Sequence, residues 1–215
     1  MIYHSTRDEK LTAAPTRAVL EGIAPDGGLY VCDPGKLDFD WQGTLQKDTM
    51  SMAADILGAL LPDFQDMNEL VRASYAGKFA SDDLTPLVPV GERYVLELYH
   101  GPTSAFKDVA LSVLPRLVSA AAKQEGAGDV VILTATSGDT GKAALEGFHD
   151  VPGTRIMVFY PAGGVSPVQE AQMVTQEGGN VRVCAIRGNF DDAQTGVKNV
   201  FAACKGKDLH GAVLS

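Results

Sequence analysis

Residues 130–149 read VVILTATSGDTGKAALEGFH. An unbroken apolar run ends at Ala135. A loop of small and hydroxylated residues follows, and then the spacing of a helix. A short continuous apolar run bounded by turn residues is the mark of a strand buried on both faces. The same alternation recurs around it. RYVLELY at 93–99, RIMVFY at 155–160 and VRVCAI at 181–186 read as further strands, separated by helical stretches near 104–124, 140–149, 166–177 and 190–205. Ser166, Pro167 and Gln169 form a capping box with proline at the first helical position. Strands alternating with helices predict an α/β fold, a doubly wound parallel sheet in three layers. The final residues, HGAVLS at 210–215, read as the opening of a fifth strand, so the sheet is expected to be incomplete at its C-terminal end.

Upstream the pattern changes. TRAVLEGIA at 16–24 reads as a helix running into the turn Pro25–Gly28. LYVC at 29–32 is a short apolar segment, and a polar loop carries Trp41. Two helical patterns lie near 48–61 and 66–78, with Pro62-Asp63 as a stop and a new start. The expected organisation is a small, mostly helical domain over residues 1–88, followed by the first part of an α/β domain over 89–215.

Composition narrows the function. Eighteen Lys and Arg against twenty-seven Asp and Glu leave a formal charge of -9. A nucleic-acid or anionic-membrane surface needs a cationic excess, so neither partner is expected. Cys32, Cys184 and Cys204 are too scattered for a disulfide framework. His4, His100, His149 and His210 lack metal-ligand spacing, and no metal is expected. No apolar run approaches the roughly 18 residues of a membrane span, and the start, MIYHSTRDEK, is too polar for a signal peptide. A reducing cytoplasm is the expected compartment.

Ligands of such sheets bind beyond the carboxyl ends of strands. Two loops therefore carry the chemistry, His100–Lys107 and Thr134–Lys142. In the first, Ser104 can cap the following helix, which puts Lys107 on its first turn among Ala105, Phe106, Val109 and Ala110. Apolar neighbours and the positive end of the helix dipole both favour a neutral amine, which is a nucleophile for a carbonyl. Asp108 opposes that shift unless its side chain points elsewhere. In the second loop, glycines and hydroxyls between strand and helix aim N–H groups at an anion. Walker A and GxGxxG patterns both fail at Thr136. Asp139 can only accept hydrogen bonds when ionised, so it is expected to cap or brace the loop. Donation is left to the amides, Ser137 and Thr140.

ELYHGPTSAFKD at 97–108 with TSGDTGKAA at 136–144 resembles the threonine synthase family, within the fold-type II pyridoxal-phosphate enzymes. YHSTR, APDGGLYV, PAGGVSPVQEAQM and GNFDDAQ are similar to family segments in family order. The resemblance implies pyridoxal 5'-phosphate held as a Schiff base on Lys107. It also implies that Ser137, Gly138, Asp139, Thr140 and Gly141 face the cofactor. Of these, Ser137, Gly138, Thr140 and Gly141 would receive the substrate's α-carboxylate. The implied reaction converts O-phospho-L-homoserine and water to L-threonine and phosphate. Gly188-Asn189-Phe190 imitates the family's phosphate loop, but Asp191 stands where that loop has glycine, and the segment matches the family's GxFDDxQ helix start. The phosphate loop and the partner of the pyridine nitrogen are expected beyond Ser215. The chain thus resembles an N-terminal half, inactive by itself and prone to self-association. Two other readings stay open, another pyridoxal-phosphate lyase such as a serine or threonine dehydratase, and a non-catalytic α/β binding module.

Overall fold

A computed structural model describes residues 1–33, 35, 37, 39–204 and 213–214. The chain opens on three short antiparallel strands, β1 (Tyr3–Ser5), β2 (Thr12–Ala13) and β3 (Tyr30–Val31), with β1 in the middle. Helix α1 (Pro15–Glu21) starts on a proline and stops at Gly22, whose φ of 67° suits glycine. Helix α2 (Trp41–Thr44) is a single turn. Helix α3 (Thr49–Leu60) is capped by Asp48, and α4 (Met67–Tyr75) follows the break at Pro62-Asp63.

β4 (Leu87–Val90) pairs antiparallel with β5 (Arg93–Leu96), so the segment expected to open the parallel sheet forms a hairpin instead. Gly91, at φ 63°, allows a two-residue turn, and such local closure precludes a place in the distant sheet. The hairpin also carries the chain across residues 88 and 89 within one strand.

Helix α5 (Asp108–Gln124) then leads into the alternating part. β6 (Val130–Ala135), α6 (Asp139–Phe148), β7 (Thr154–Pro161), α7 (Pro167–Val174), β8 (Val181–Ile186), α8 (Phe190–Cys204) and β9 (Val213–Leu214) follow in order. The strands are parallel and lie in the order β8-β7-β6-β9. The order reverses beside β6, which is the doubly wound arrangement expected. Its switch point lies at the carboxyl end of β6, where Thr136 begins the loop. The capping box at Ser166 and Gln169 is present. Of the expected fifth strand, residues 210–212 and 215 lie outside the described residues, as do Lys205 and His210.

Two cores hold these parts together. Leu61, Phe64, Val71 and Tyr75 pack with Val113, Leu117, Val118 and Ala121 of α5, so one core joins the helical segment to the α/β part. Tyr75 donates from its hydroxyl to the Val109 carbonyl at 2.7 Å, and burial pushes its phenol up to about 12. The second core gathers Leu145, Phe148, Ile156, Val158, Tyr160 and Met173.

Helices α5 and α6 meet at Gly147. Pro115 has no N–H for the Leu111 carbonyl one turn earlier, and its ring crowds that oxygen. The oxygen occupies the space on α6 where a residue-147 side chain would begin, 1.9 Å from an ideal Cβ. Helix propensity alone would make Gly147→Ala stabilising by about 1 kcal/mol. Displacing a backbone oxygen in a packed core outweighs that. We expect Gly147→Ala to lose about 2 kcal/mol or more in urea denaturation, with the midpoint falling at unchanged slope.

Candidate active site

The loop before α5 is organised by Asp108. Its carboxylate, 2% exposed, accepts from the Thr103 N–H at 2.8 Å and the Thr103 hydroxyl at 2.6 Å. The side chain fills the space beside Gly101, where a Cβ would stand 2.5 Å from it. Asp108 is therefore turned back into the loop. Ser104 does not cap the helix. It sits at φ 58° in a turn closed by its own N–H on the Gly101 carbonyl, and α5 begins at Asp108 with Lys107 at the capping position. The shift from the expected start at 104 follows from two successive turns, this one over 101–104 and a second closed by the Asp108 N–H on the Ala105 carbonyl at 3.0 Å.

Lys107 is less desolvated than its apolar neighbours suggested, with a side chain 30% exposed. Phe106 itself is exposed, and its ring lies 4.2 Å from the lysine nitrogen. Just upstream, Glu97 meets His100 at 2.7 Å, and Tyr99 stacks on the His100 ring. Hydrogen bonds from His100 and then Tyr99 hold the Glu97 carboxyl below its ordinary range. The Ala80 N–H donates to the His100 carbonyl, anchoring the segment.

The second loop arrives at the same place. The Lys107 Nζ lies 3.6 Å from Asp139 Oδ2. Asp139 is the first residue of α6 and caps nothing, since the capping position is Gly138 and no side chain bonds there. The bracing expected of Asp139 is done by Thr136. Its buried Oγ1 accepts from the N–H groups of Gly138 at 3.1 Å and Gly141 at 2.9 Å. Glycine is required at both positions. A Cβ at 141 would stand 2.4 Å from the Thr136 methyl carbon, and the backbone at 138, beside the Gln169 amide, sits at φ 155°, which strains any residue with a Cβ. The hydroxyls of Ser137 and Thr140 take no hydrogen-bond partner among the described residues. The N–H groups of Ser137, Asp139 and Thr140 likewise take none, as expected of orphan donors at a helix start.

The structure thus brings Lys107 to Asp139 and the loop through Gly141, and adds Thr136 and Gln169. Thr136 was legible only as the residue that broke two nucleotide motifs, and Gln169 only as half of a capping box. Gly188–Phe190 starts a helix. The Asn189 N–H donates to Asp192 at 2.8 Å, and the Asp192 N–H donates back to Asn189 at 3.1 Å. Among the described residues there is no metal-ligating cluster, and no helix is long and apolar enough to cross a membrane.

Comparison with known proteins decides what this arrangement belongs to. Residues 2–88 match the family model described as threonine synthase N terminus. Threonine synthase from Saccharomyces cerevisiae is 35% identical over all of this chain and 46% of its own length, and that of Pseudomonas aeruginosa is 39% identical over 94% and 44%. A crystal structure of PLP-bound threonine synthase from Brucella melitensis superimposes over the whole chain with a TM-score of 0.89 at 37% identity. The chain belongs to the threonine synthase family. It corresponds to the N-terminal half, spanning about half the length of the curated relatives it matches. Escherichia coli threonine synthase, at TM-score 0.79 and 32% identity, is matched over 49% of its length.

The Asp108 arrangement is open to test. Asp108→Ala leaves the Thr103 N–H without its acceptor and empties the space beside Gly101. We expect a loss of about 2 kcal/mol in chemical denaturation and faster proteolysis between residues 101 and 107.

Proposed function

We propose that this chain supplies the lysine half of a threonine synthase active site, for the conversion of O-phospho-L-homoserine and water to L-threonine and phosphate, the last step of threonine biosynthesis. The single observation that carries the reading is the 3.6 Å approach of Lys107 to Asp139, in the middle of the Ser137–Gly141 loop and at the start of α6. Residues distant in sequence meet where a doubly wound sheet binds ligands.

Pyridoxal 5'-phosphate, when bound, supplies an electron sink for charge developed at the substrate's Cα. The residues present fit its aldehyde end. Lys107 stands at a helix start with its amine accessible, and would carry the cofactor as a Schiff base. Once released, the same amine stays tethered beside Cα and is placed to take up its proton. The orphan N–H groups of Ser137, Asp139 and Thr140 suit the substrate's α-carboxylate, and Gly138 and Gly141 let the backbone come close. The Ser137 and Thr140 hydroxyls add donors on the same rim. Asp139 holds the lysine nitrogen toward this loop. The fit does not extend to the phosphate end, because the glycine at 188 belongs to a capped helix start. The division into residues 1–88 and 89–215 is part of the same reading, with the helical segment as a support for α5.

The surroundings follow from this assignment. The substrate is a small molecule, and the charge of -9 disfavours nucleic acid. Three free cysteines suit a reducing cytoplasm. Leu87, Tyr94, Leu96, Tyr99 and Phe106 are exposed together on and after the hairpin. That surface favours self-association of the chain when nothing else covers it.

Reduction with borohydride tests the lysine. In a protein of family length carrying this sequence, reduction after adding cofactor is expected to fix pyridoxyl on Lys107. A label on Lys123 or Lys142 contradicts the assignment. Lys142 is held by Glu146 and Gln176, which is why it is not expected to react. Threonine formed from phosphohomoserine separates this reading from a dehydratase, and absence of any label favours the binding module.

A further inference from the structure

The Thr136 hydroxyl is saturated. It accepts from the Gly138 N–H at 3.1 Å and the Gly141 N–H at 2.9 Å, and its proton points to the Gly138 carbonyl at 3.2 Å. A hydroxyl has one proton and two lone pairs, and all three are used. Thr136 is 2% exposed, and Gly138 and Gly141 are buried, so solvent is a poor replacement for any of these bonds. The methyl group is fixed as well, standing 2.4 Å from where a Gly141 Cβ would begin. A β-branched side chain keeps few rotamers, so hydroxyl and methyl are set by one torsion.

This clamp divides the loop's donors into two sets. The Gly138 amide turns inward to Thr136, and the Gly141 amide is shared between Thr136 Oγ1 at 2.9 Å and the Gly138 carbonyl at 3.2 Å. The amides of Ser137, Asp139 and Thr140 are left over. The division holds Gly138 at φ 155°, with the Gln169 amide in the space a Cβ there would enter. We propose that Thr136 is a positioning residue of this site, which sorts the loop's amides so that three remain for the carboxylate of an α-amino acid. This rests on the function proposed above, but its first test does not need turnover. Thr136 acts through the loop and touches neither substrate nor cofactor.

Valine keeps the shape of Thr136 and removes the hydroxyl, whereas serine keeps the hydroxyl and removes the methyl. In the 215-residue chain, amide hydrogen exchange at Gly138 is expected to speed up about tenfold or more in Thr136→Val, with a smaller rise at Gly141, which keeps the Gly138 carbonyl, and to stay within about twofold of wild type in Thr136→Ser. If the valine variant does not fold, Thr136→Ala removes the same oxygen without pressing a methyl on two N–H groups, and the same acceleration is expected. In a protein of family length, Thr136→Val or Thr136→Ala should raise KM for phosphohomoserine about tenfold, more than it lowers kcat, with borohydride labelling of Lys107 retained. A structural cap alone would lower the melting temperature of the folded variant and leave KM where it was, which overturns the proposal. Unchanged exchange at Gly138 overturns it too. Faster exchange in a protein that makes no threonine overturns the assigned function and leaves the clamp standing.

Discussion

The close packing of α5 on α6 is the constraint on which the site depends. Lys107 meets Asp139 at the starts of the two helices, and Pro115 meets Gly147 eight residues further along each. Equal steps between two contacts mean that the helices run side by side in register for about 12 Å. The far contact tolerates no side chain at 147, because the Leu111 carbonyl oxygen fills that space. A proline inside a helix is ordinarily destabilising by about 3 kcal/mol. Here its cost is tied to a gain elsewhere, since the oxygen it strips of a partner becomes the surface against which α6 is seated. Moving either helix along the other would separate the lysine from the loop.

Each helix start is then shaped by one buried side chain, Asp108 reaching back along its loop and Thr136 reaching forward along its own. Asp108 holds Thr103 and fills the space at Gly101. Thr136 holds Gly138 and Gly141 and fills the space at Gly141. In both loops the glycine is there because the organising side chain occupies the volume a Cβ would need. The result is two preset backbones whose own hydrogen bonds are satisfied inward, leaving a lysine amine and three amide donors at the rim. Preset donors need no reorganisation when charge arrives, which is the property the proposed carboxylate site requires.

Much of this was legible in the residues. The strands of 130–135, 155–160 and 181–186 follow from unbroken apolar runs, and the capping box at 166–169 from local chemistry alone. RYVLELY at 93–99 has the same apolar character and went elsewhere, because its fate was decided by Gly91 and by the availability of a neighbouring partner strand at 87–90. Periodicity describes what a segment can bury, and pairing depends on what lies near it. The site shows the same division. Lys107 and the loop 137–141 stand out by composition and by likeness to a family. Asp108 and Thr136 do not, since their importance lies in where their side chains point, and a buried aspartate one residue from a lysine looks in sequence like an ion-pair partner. The positive φ of Ser104 was likewise invisible, and with it the true start of α5.

The central claim is that the packing of two helices places Lys107 against Asp139 in the folded chain. Zero-length carbodiimide coupling measures it directly, because it joins an amine to a carboxylate only when they are in contact. Peptide mapping of the coupled chain is expected to return Lys107 joined to Asp139, with the yield lost in Gly147→Ala, where the register of the helices is disturbed. A chain with native circular dichroism in which Lys107 couples to another carboxylate, or in which Lys107–Asp139 coupling is indifferent to residue 147, contradicts the account.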